Sequence, residues 1–175
     1  TPIPAVVSVN ADETVESGLD FGVDPRGAHE VTTAVRRETG LPLIVKMTPN
    51  VTDISAIAGA AEDAGADAVS LVNTFLAMAI DVETRRPRLS NIVGGLSGPA
   101  IRPIAVRMVY ECRQRIRIPI IGMGGIASAA DVLEFIIAGA SAVQVGTANF
   151  ADPLIWPKLL EGIRSYGERH NLRAI

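Results

Sequence analysis

Residues 119–126 read PIIGMGGI, and residues 139–147 read GASAVQVGT. Each stretch is a short apolar run that ends in glycine, which is typical of a buried strand in a parallel sheet. Glycine at the end of a strand lets the backbone approach a ligand, because no Cβ stands in the way. Two such strand ends in succession predict a binding site for a phosphate group. The alternative is that the glycines only allow helices to pack closely on the sheet.

Three further apolar runs lie upstream, and amphipathic helical patterns separate them. The predicted strands cover residues 5–9, 43–47, 68–73, 119–123 and 142–145, and the predicted helices cover residues 24–39, 53–64, 99–115 and 129–138. Asp53 and Ser128 are the expected N-caps of two of these helices. Strands that alternate with helices predict an α/β fold with a parallel sheet, and repeated βα units are typical of a TIM barrel, the (β/α)8 fold.

The length of the chain limits this barrel. A complete (β/α)8 barrel needs eight strands and about 250 residues, whereas this chain of 175 residues supplies five predicted strands. We therefore expect one domain over residues 1–175, an incomplete barrel with an uncovered inner face and a hairpin inserted on its rim at about residues 79–97. Either further N-terminal βα units precede this sequence or another chain supplies them.

Composition excludes several classes of function. The net charge is −3 with acidic and basic residues interspersed, so nothing indicates a nucleic-acid surface. The single cysteine, Cys112, forms no disulfide within the chain, and no metal-ligand spacing is present. No apolar run reaches the ~18 residues of a membrane span, and the first residues do not resemble a signal peptide. We expect a cytoplasmic protein that binds no membrane.

Polar residues follow the predicted strands at the edge where barrel enzymes carry their sites. Lys46 interrupts an apolar strand near its end and should meet an anionic or electron-rich ligand, or else a structural carboxylate. Asn73 and Thr74 end the next strand and could orient a planar polar ligand, although they also suit an ordinary turn or helix cap. The glycine-rich loop at residues 94–99 is a further candidate for ligand contact.

Five motifs together resemble class 1 dihydroorotate dehydrogenase, most closely its class 1B, NAD-linked form. They are KMTPNVTD at residues 46–53, VNT at 72–74, GGLSGPAI at 94–101, IGMGGI at 121–126 and VGTANF at 145–150. The similarity runs from about residue 21 to residue 157 and covers the C-terminal half of such an enzyme.

The resemblance implies an FMN-dependent oxidoreductase that converts dihydroorotate to orotate in de novo pyrimidine biosynthesis. It also implies a partner subunit that carries FAD and an iron–sulfur cluster, and a homo-oligomer. It places Lys46 at the N1/O2 edge of the flavin, Asn73 and Thr74 on the orotate ring, and six further residues on FMN. Of these six, Val72 and Gly98 contact FMN, and Gly124, Gly125, Gly146 and Thr147 hold its phosphate.

One departure from the family concerns the catalytic base. The family carries a cysteine after its fourth strand, but residues 8–14 read SVNADET here, so the base position falls on Ala11 or, with a shift of one residue, on Asp12. An aspartate with an ordinary pKa of ~3.9 is a weak base.

Two alternatives to the dehydrogenase function therefore stay open. One is a non-catalytic flavin- or phosphate-binding half-barrel, either a degraded paralogue or a subunit completed by another chain. The other is a flavin barrel of the dihydropyrimidine dehydrogenase type.

Overall fold

The computed structural model describes residues 5–9 and 21–172. In chain order the strands are β1 (Ala5–Val9), β2 (Leu43–Met47), β3 (Ala68–Leu71), β4 (Phe75–Ala77), β5 (Ile80–Asp81), β6 (Arg86–Pro87), β7 (Gly94–Leu96), β8 (Ile120–Met123) and β9 (Ala142–Gln144). The helices are α1 (Pro25–Glu38), α2 (Ile54–Asp63), α3 (Arg102–Arg115), α4 (Ala129–Ala138), α5 (Ala148–Ala151) and α6 (Ile155–Arg169). A 3-10 turn at Pro99–Ile101 leads directly into α3.

The main sheet has five parallel strands in the order β1-β2-β3-β8-β9. Each step between neighbouring strands of this sheet passes through at least one helix, which is the connection that parallel strands require. The predicted α/β class, the five strands and the βα repeat are confirmed, and the open sheet corresponds to part of a barrel.

One face of the sheet packs on the helices. The alternation along β2 buries Leu43, Val45 and Met47 on this face, as expected for a strand with a period of two residues. The core between sheet and helices is formed by apolar residues of β2, β3, β8 and helices α2, α3 and α4, including Val45, Val69, Leu71, Ile57, Val109, Ile120 and Phe135.

The opposite face of the sheet is partly open. Ile44 and Lys46 of β2 point to this face and are half-buried, and the register places Lys46 beside Ser70 of β3. Val6, which pairs with Ile44 in β1, is 60 % exposed. This arrangement agrees with the uncovered inner face expected from the sequence.

Two antiparallel pairs interrupt the βα pattern between β3 and α3. Strand β4 pairs with β7, and β5 pairs with β6 within the segment that joins β4 to β7. At the end of the β5–β6 pair, the Asp81 side chain accepts hydrogen bonds from the backbone N–H groups of Glu83 and Thr84 and so closes the turn between these two strands. The paired region begins at Phe75, a few residues before the segment for which the sequence predicts a hairpin.

Local sequence signals explain the helix starts. Asp53 accepts a hydrogen bond from the N–H of Ala56 at 3.1 Å, and Ser128 forms a reciprocal capping box with Asp131. Both predicted N-caps are confirmed. The sequence prediction did not include α6, which packs on α4 where Gly162 meets Ala129 so closely that a Cβ on Gly162 would lie 2.4 Å from the Ala129 side chain.

Over residues 5–9 and 21–172, no helix has the length and apolar character needed to cross a lipid bilayer.

Candidate functional site

A cavity of about 710 Å³ lies at the carboxyl ends of β2, β3, β8 and β9. Its volume falls within the range of roughly 300–1,000 Å³ that is usual for small-molecule sites. All nine site residues proposed from the sequence line it, namely Lys46, Val72, Asn73, Thr74, Gly98, Gly124, Gly125, Gly146 and Thr147. The structure therefore brings together residues that are up to a hundred positions apart in the chain.

The two glycine motifs, at residues 119–126 and 139–147, lie side by side. Strands β8 and β9 are parallel neighbours, with Met123 paired to Gln144, so the loops that follow them emerge at the same edge of the sheet. The first loop carries Gly124 and Gly125 and the second carries Gly146, and all three line the cavity. This placement satisfies the geometric condition for a single anion to contact both loops.

A third loop completes this end of the cavity. A Cβ on Gly125, whose φ is +77°, would lie 2.6 Å from the carbonyl oxygen of Gly98 and 3.0 Å from the backbone nitrogen of Arg102. Only glycine fits at this position, because of both the backbone conformation and the close approach. A Cβ on Gly146 would meet no atom within 4 Å, so the glycine leaves open space in the cavity.

Two hydroxyl groups join the loops across this end. The Oγ1 atom of Thr147 donates a hydrogen bond of 2.8 Å to the Oγ atom of Ser97. Ser97 lines the cavity but was not singled out from the sequence. Its position next to Gly98 in the predicted ligand loop was the signal that could have identified it.

Lys46 lies toward the other end of the cavity, at the end of β2. None of the ion pairs formed within the described part of the chain includes Lys46. Within these residues the half-buried Lys46 side chain therefore meets no structural carboxylate, which agrees with the sequence interpretation in which it meets an anionic or electron-rich ligand.

Hydrogen bonds orient Asn73 and Thr74 at the end of β3. The N–H of Asn73 donates to the carbonyl of Met47, which extends the sheet pattern and fixes the backbone. The Asn73 Oδ1 atom accepts a hydrogen bond of 2.8 Å from the N–H of Thr74. Because its oxygen is engaged locally, Asn73 presents its amide N–H groups as donors to a ligand.

Asn50 cross-links the loop after β2 to the same segment. Its Nδ2 atom donates to the Thr74 carbonyl at 3.2 Å, and its Oδ1 atom accepts from the N–H of Leu76 at 3.0 Å. Thr74 also packs against Gly95 of β7, where a Cβ would lie 2.4 Å from Thr74 Oγ1. The sequence placed Asn50 within a motif but gave it no role.

Asp152 and Trp156, which the sequence did not predict, line the cavity near the start of α6. A hydrogen bond from the Lys158 ammonium group is the main cause that lowers the pKa of Asp152. The Asp152 carboxylate is therefore ionised and already paired. No sequence pattern identified Asp152 and Trp156, because they lie after the last motif, which ends at residue 150, and belong to no motif themselves.

The two positions on which the catalytic base of the family falls, Ala11 and Asp12, lie outside the described residues. Cys112 is fully buried in α3 and does not line the cavity. Burial, its largest influence, raises the pKa of the Cys112 thiol to about 12, so the thiol stays protonated at neutral pH. Cys112 therefore does not replace the cysteine of the family motif.

Comparison with known proteins gives consistent matches. A family model for dihydroorotate dehydrogenase matches residues 6–166. The protein named dihydroorotate dehydrogenase B (NAD(+)), catalytic subunit, from Caldicellulosiruptor bescii is 54 % identical over 169 residues, which are 97 % of this chain and 56 % of that protein. The protein of the same name from Bacteroides thetaiotaomicron is 51 % identical over 174 residues, which are 99 % of this chain and 57 % of that protein.

Among solved structures, a crystal structure of DHODH from Eimeria tenella in complex with ferulenol matches with a TM-score of 0.78 and 24 % sequence identity. The match covers 95 % of this chain and 50 % of that one. At this identity the match establishes the shared fold. In all three comparisons the chain spans only about half the length of the protein it matches.

Proposed function

Because the chain belongs to the dihydroorotate dehydrogenase family, we propose that it forms the FMN-binding, C-terminal half of a barrel that oxidises dihydroorotate to orotate in pyrimidine biosynthesis. The observation that carries this proposal is the meeting of two glycine loops, at the ends of β8 and β9, in one cavity with Lys46. The glycine loops suit a phosphate and the lysine suits an electron-rich ring, and FMN contains both groups.

The residues at the glycine end fit a phosphate group. Backbone N–H groups of Gly124, Gly125, Gly146 and Thr147 are the donors proposed to hold it. The Thr147 hydroxyl donates to Ser97 Oγ, so the Ser97 hydroxyl keeps its own hydrogen to donate to the phosphate. The open space beside Gly146, where a Cβ would touch nothing within 4 Å, is the volume that such a group requires. Val72 and Gly98 line the same cavity and are proposed to contact the remainder of FMN.

At the other end, Lys46 is proposed to lie at the N1/O2 edge of the isoalloxazine ring. When bound, FMN supplies the acceptor for the hydride that leaves C6 of dihydroorotate. The ammonium group of Lys46 stabilises negative charge on its ligand, and the partly buried site strengthens this effect compared with open water.

Asn73 and Thr74 are proposed to bind the orotate ring. The Asn73 amide donates its N–H groups, because its oxygen already accepts from Thr74. Carbonyl and carboxylate oxygens of a pyrimidine acid are matching acceptors. Removal of the C5 proton is assigned to the segment that contains Ala11 and Asp12, where Asp12 is the one of the two whose side chain can accept a proton.

The relatives' names include "catalytic subunit", and for this reason we extend the proposal to a partner. A subunit with FAD and an iron–sulfur cluster would accept the electrons from FMN and pass them to NAD. Self-association into a homo-oligomer is proposed on the same family basis.

FMN binding is the direct test of the proposed site. Titration of the purified chain with FMN, followed by quenching of flavin fluorescence, is expected to give a dissociation constant in the micromolar range or below, and absence of binding at micromolar FMN contradicts the proposal. Gly146→Asp places a carboxylate beside the phosphate and is expected to weaken binding by about tenfold or more.

Gly40→Asp is the matched control for this substitution. A Cβ at Gly40, as at Gly146, meets no atom within 4 Å, but Gly40 does not line the cavity. The control variant is therefore expected to bind FMN like the wild type. Equal FMN affinity of Gly146→Asp and Gly40→Asp would reject the assigned phosphate position.

This chain has Ala11 or Asp12 where the family has its catalytic cysteine. The difference favours a second candidate function, a half-barrel that binds flavin but does not catalyse a reaction. Anaerobic mixing of the FMN-loaded chain with dihydroorotate distinguishes the two candidates. Bleaching of the flavin absorbance supports the enzyme, whereas retained FMN without bleaching supports the binding module.

A further inference from the structure

We propose that Arg102 and Asp131 are positioning residues for the phosphate end of the cavity. Their ion pair holds the loop before α3 against the loop after β8 and thereby sets the spacing of the backbone groups that contact the phosphate. This inference rests on the proposed binding of FMN. Neither residue lines the cavity, so both act through the loops.

The two loops touch at Gly125. A Cβ there would lie 2.6 Å from the Gly98 carbonyl oxygen and 2.9 Å from the Cβ of Arg102. Arg102 begins α3 directly after the 3-10 turn, and it is therefore attached to the backbone that carries Gly98. A small displacement of Arg102 would move Gly98 relative to Gly125.

Asp131 anchors the other loop. The residue is only 3 % exposed, and its Oδ2 atom accepts hydrogen bonds from the N–H groups of Ala127 at 2.9 Å and Ser128 at 2.8 Å. Its Oδ1 atom accepts from Nη1 of Arg102. One buried carboxylate thus connects the loop that begins at Gly124 with the start of α3.

Ion pairs with two carboxylates hold the Arg102 side chain against α4. The Nε atom of Arg102 is buried and forms no hydrogen bond within the described residues, but it lies 3.3 Å from Oε2 of Glu134, so the guanidinium forms ion pairs with two carboxylates on α4 and a hydrogen bond to that of Asp131. Hydrogen bonds between ionised groups are stronger than neutral ones, and loss of one partner leaves a buried charge without compensation. These ion pairs are therefore proposed to hold the two loops together beside Gly125, where a Cβ would contact Gly98 and Arg102.

The exposed pair formed by Arg107 and Glu111 has no comparable connection to a loop. Arg107 and Glu111 form a pair within one turn of α3, with side chains 53 % and 43 % exposed. Such surface pairs contribute little to stability and hold no loop. Arg107→Gln is therefore the matched control for Arg102→Gln, since it removes the same charge and side chain from the same helix.

The test compares two ligands that differ only at the phosphate, FMN and riboflavin. Arg102→Gln is expected to weaken FMN binding by about tenfold while riboflavin affinity changes less than about twofold, because only FMN uses the loop spacing. Arg102→Lys, which keeps the charge but loses the forked donor geometry, is expected to weaken FMN binding by about threefold or more. Arg107→Gln is expected to bind both ligands like the wild type.

Each outcome has a distinct meaning. If the wild type binds no FMN, the proposed function fails and the positioning role fails with it. If the wild type binds FMN and the folded Arg102 variants bind it within about twofold of the wild type, the positioning role alone is rejected. Equal losses for FMN and riboflavin also reject it, because they indicate general destabilisation. If Arg102→Gln does not fold, Arg102→Lys decides by the same ligand comparison.

Discussion

Thr147 and Ser97 are joined by a hydrogen bond of 2.8 Å between their hydroxyl groups, although fifty positions separate them in the sequence. The bond connects the loop after β9 to the loop before α3 at the end of the cavity where we propose that a phosphate binds. It leaves the Thr147 oxygen with acceptor capacity and the Ser97 hydroxyl with a hydrogen to donate to a ligand.

The Thr147–Ser97 bond predicts the effect of Thr147→Val. The substitution keeps the shape of the side chain but removes the hydroxyl, and we expect FMN affinity to fall roughly threefold to tenfold, the value of one ordinary hydrogen bond. Flavin fluorescence titration measures the change. Thr52→Val, at an exposed position outside the cavity, is the control and should leave FMN binding unchanged.

Lys46→Met is expected to make the midpoint potential of bound FMN more negative. Without the ammonium group the negative charge of the reduced ring is less stabilised, and a loss of about 1.4 kcal/mol corresponds to about 30 mV for a two-electron couple. A spectroelectrochemical titration reports the potential. Arg107, an exposed cation that lies outside the cavity, provides the control substitution Arg107→Met. An unchanged potential in Lys46→Met would contradict the role given to Lys46.

Asn50→Ala is expected to weaken orotate binding by roughly tenfold, because it removes two hydrogen bonds that fix the Thr74–Leu76 backbone. FMN affinity should stay within about twofold, since the hydrogen bonds of Asn50 within the described residues reach Thr48, Thr74 and Leu76 and not the loops after β8 and β9. Calorimetric titration of the FMN-loaded chain with orotate measures the effect, and Asn91→Ala in the exposed hairpin is the control. A parallel loss of FMN would show that Asn50 supports the whole cavity instead.

Gly122→Ala is expected to lower the free energy of unfolding by about 1–3 kcal/mol. The added Cβ would lie 2.5 Å from the ring of Phe135, which is fully buried, and 3.3 Å from the Cβ of Ala140. Urea denaturation followed by circular dichroism gives the difference from the wild type. Gly40→Ala, at which the Cβ meets nothing within 4 Å, should unfold at an unchanged or slightly higher urea concentration.

Cys112 is expected to be unreactive toward a water-soluble disulfide reagent at pH 8 in the native chain. The thiol is fully buried, and its pKa is raised to about 12, mainly by burial, so little thiolate forms below that pH. One thiol per chain should react after unfolding in urea, because Cys112 is the single cysteine. Fast labelling of the folded chain would contradict its placement in the core.

Sequence patterns predicted the sheet and the edge at which the candidate site residues meet, for a physical reason. Buried parallel strands are continuous β-branched runs, and all their carboxyl ends lie at one edge, so residues that follow different strands meet there. This is why Lys46 and Gly146 were expected in one place and line one cavity. The roles assigned to them there stay predictions until ligand binding is measured.

Features that depend on contacts across the fold were not predicted. The Arg102–Asp131 pair joins residues 29 positions apart, and each residue alone resembles an ordinary helix-start residue. Helix α6 was also missed, because Pro157, Gly162 and Gly167 lower its helix propensity. Pro157 lies in the first helical turn, where a backbone N–H has no partner to lose, and so α6 tolerates it.

All three loops at the phosphate end belong to one uninterrupted segment, from Ser97 to Thr147. If these loops bind the phosphate as proposed, the residues that hold it lie in one continuous stretch of sequence and include no strand from another part of the barrel. If the barrel is divided between two polypeptides, the polypeptide that carries this segment should bind the phosphate group of the nucleotide. The remaining strands would then enclose a ligand that is already bound.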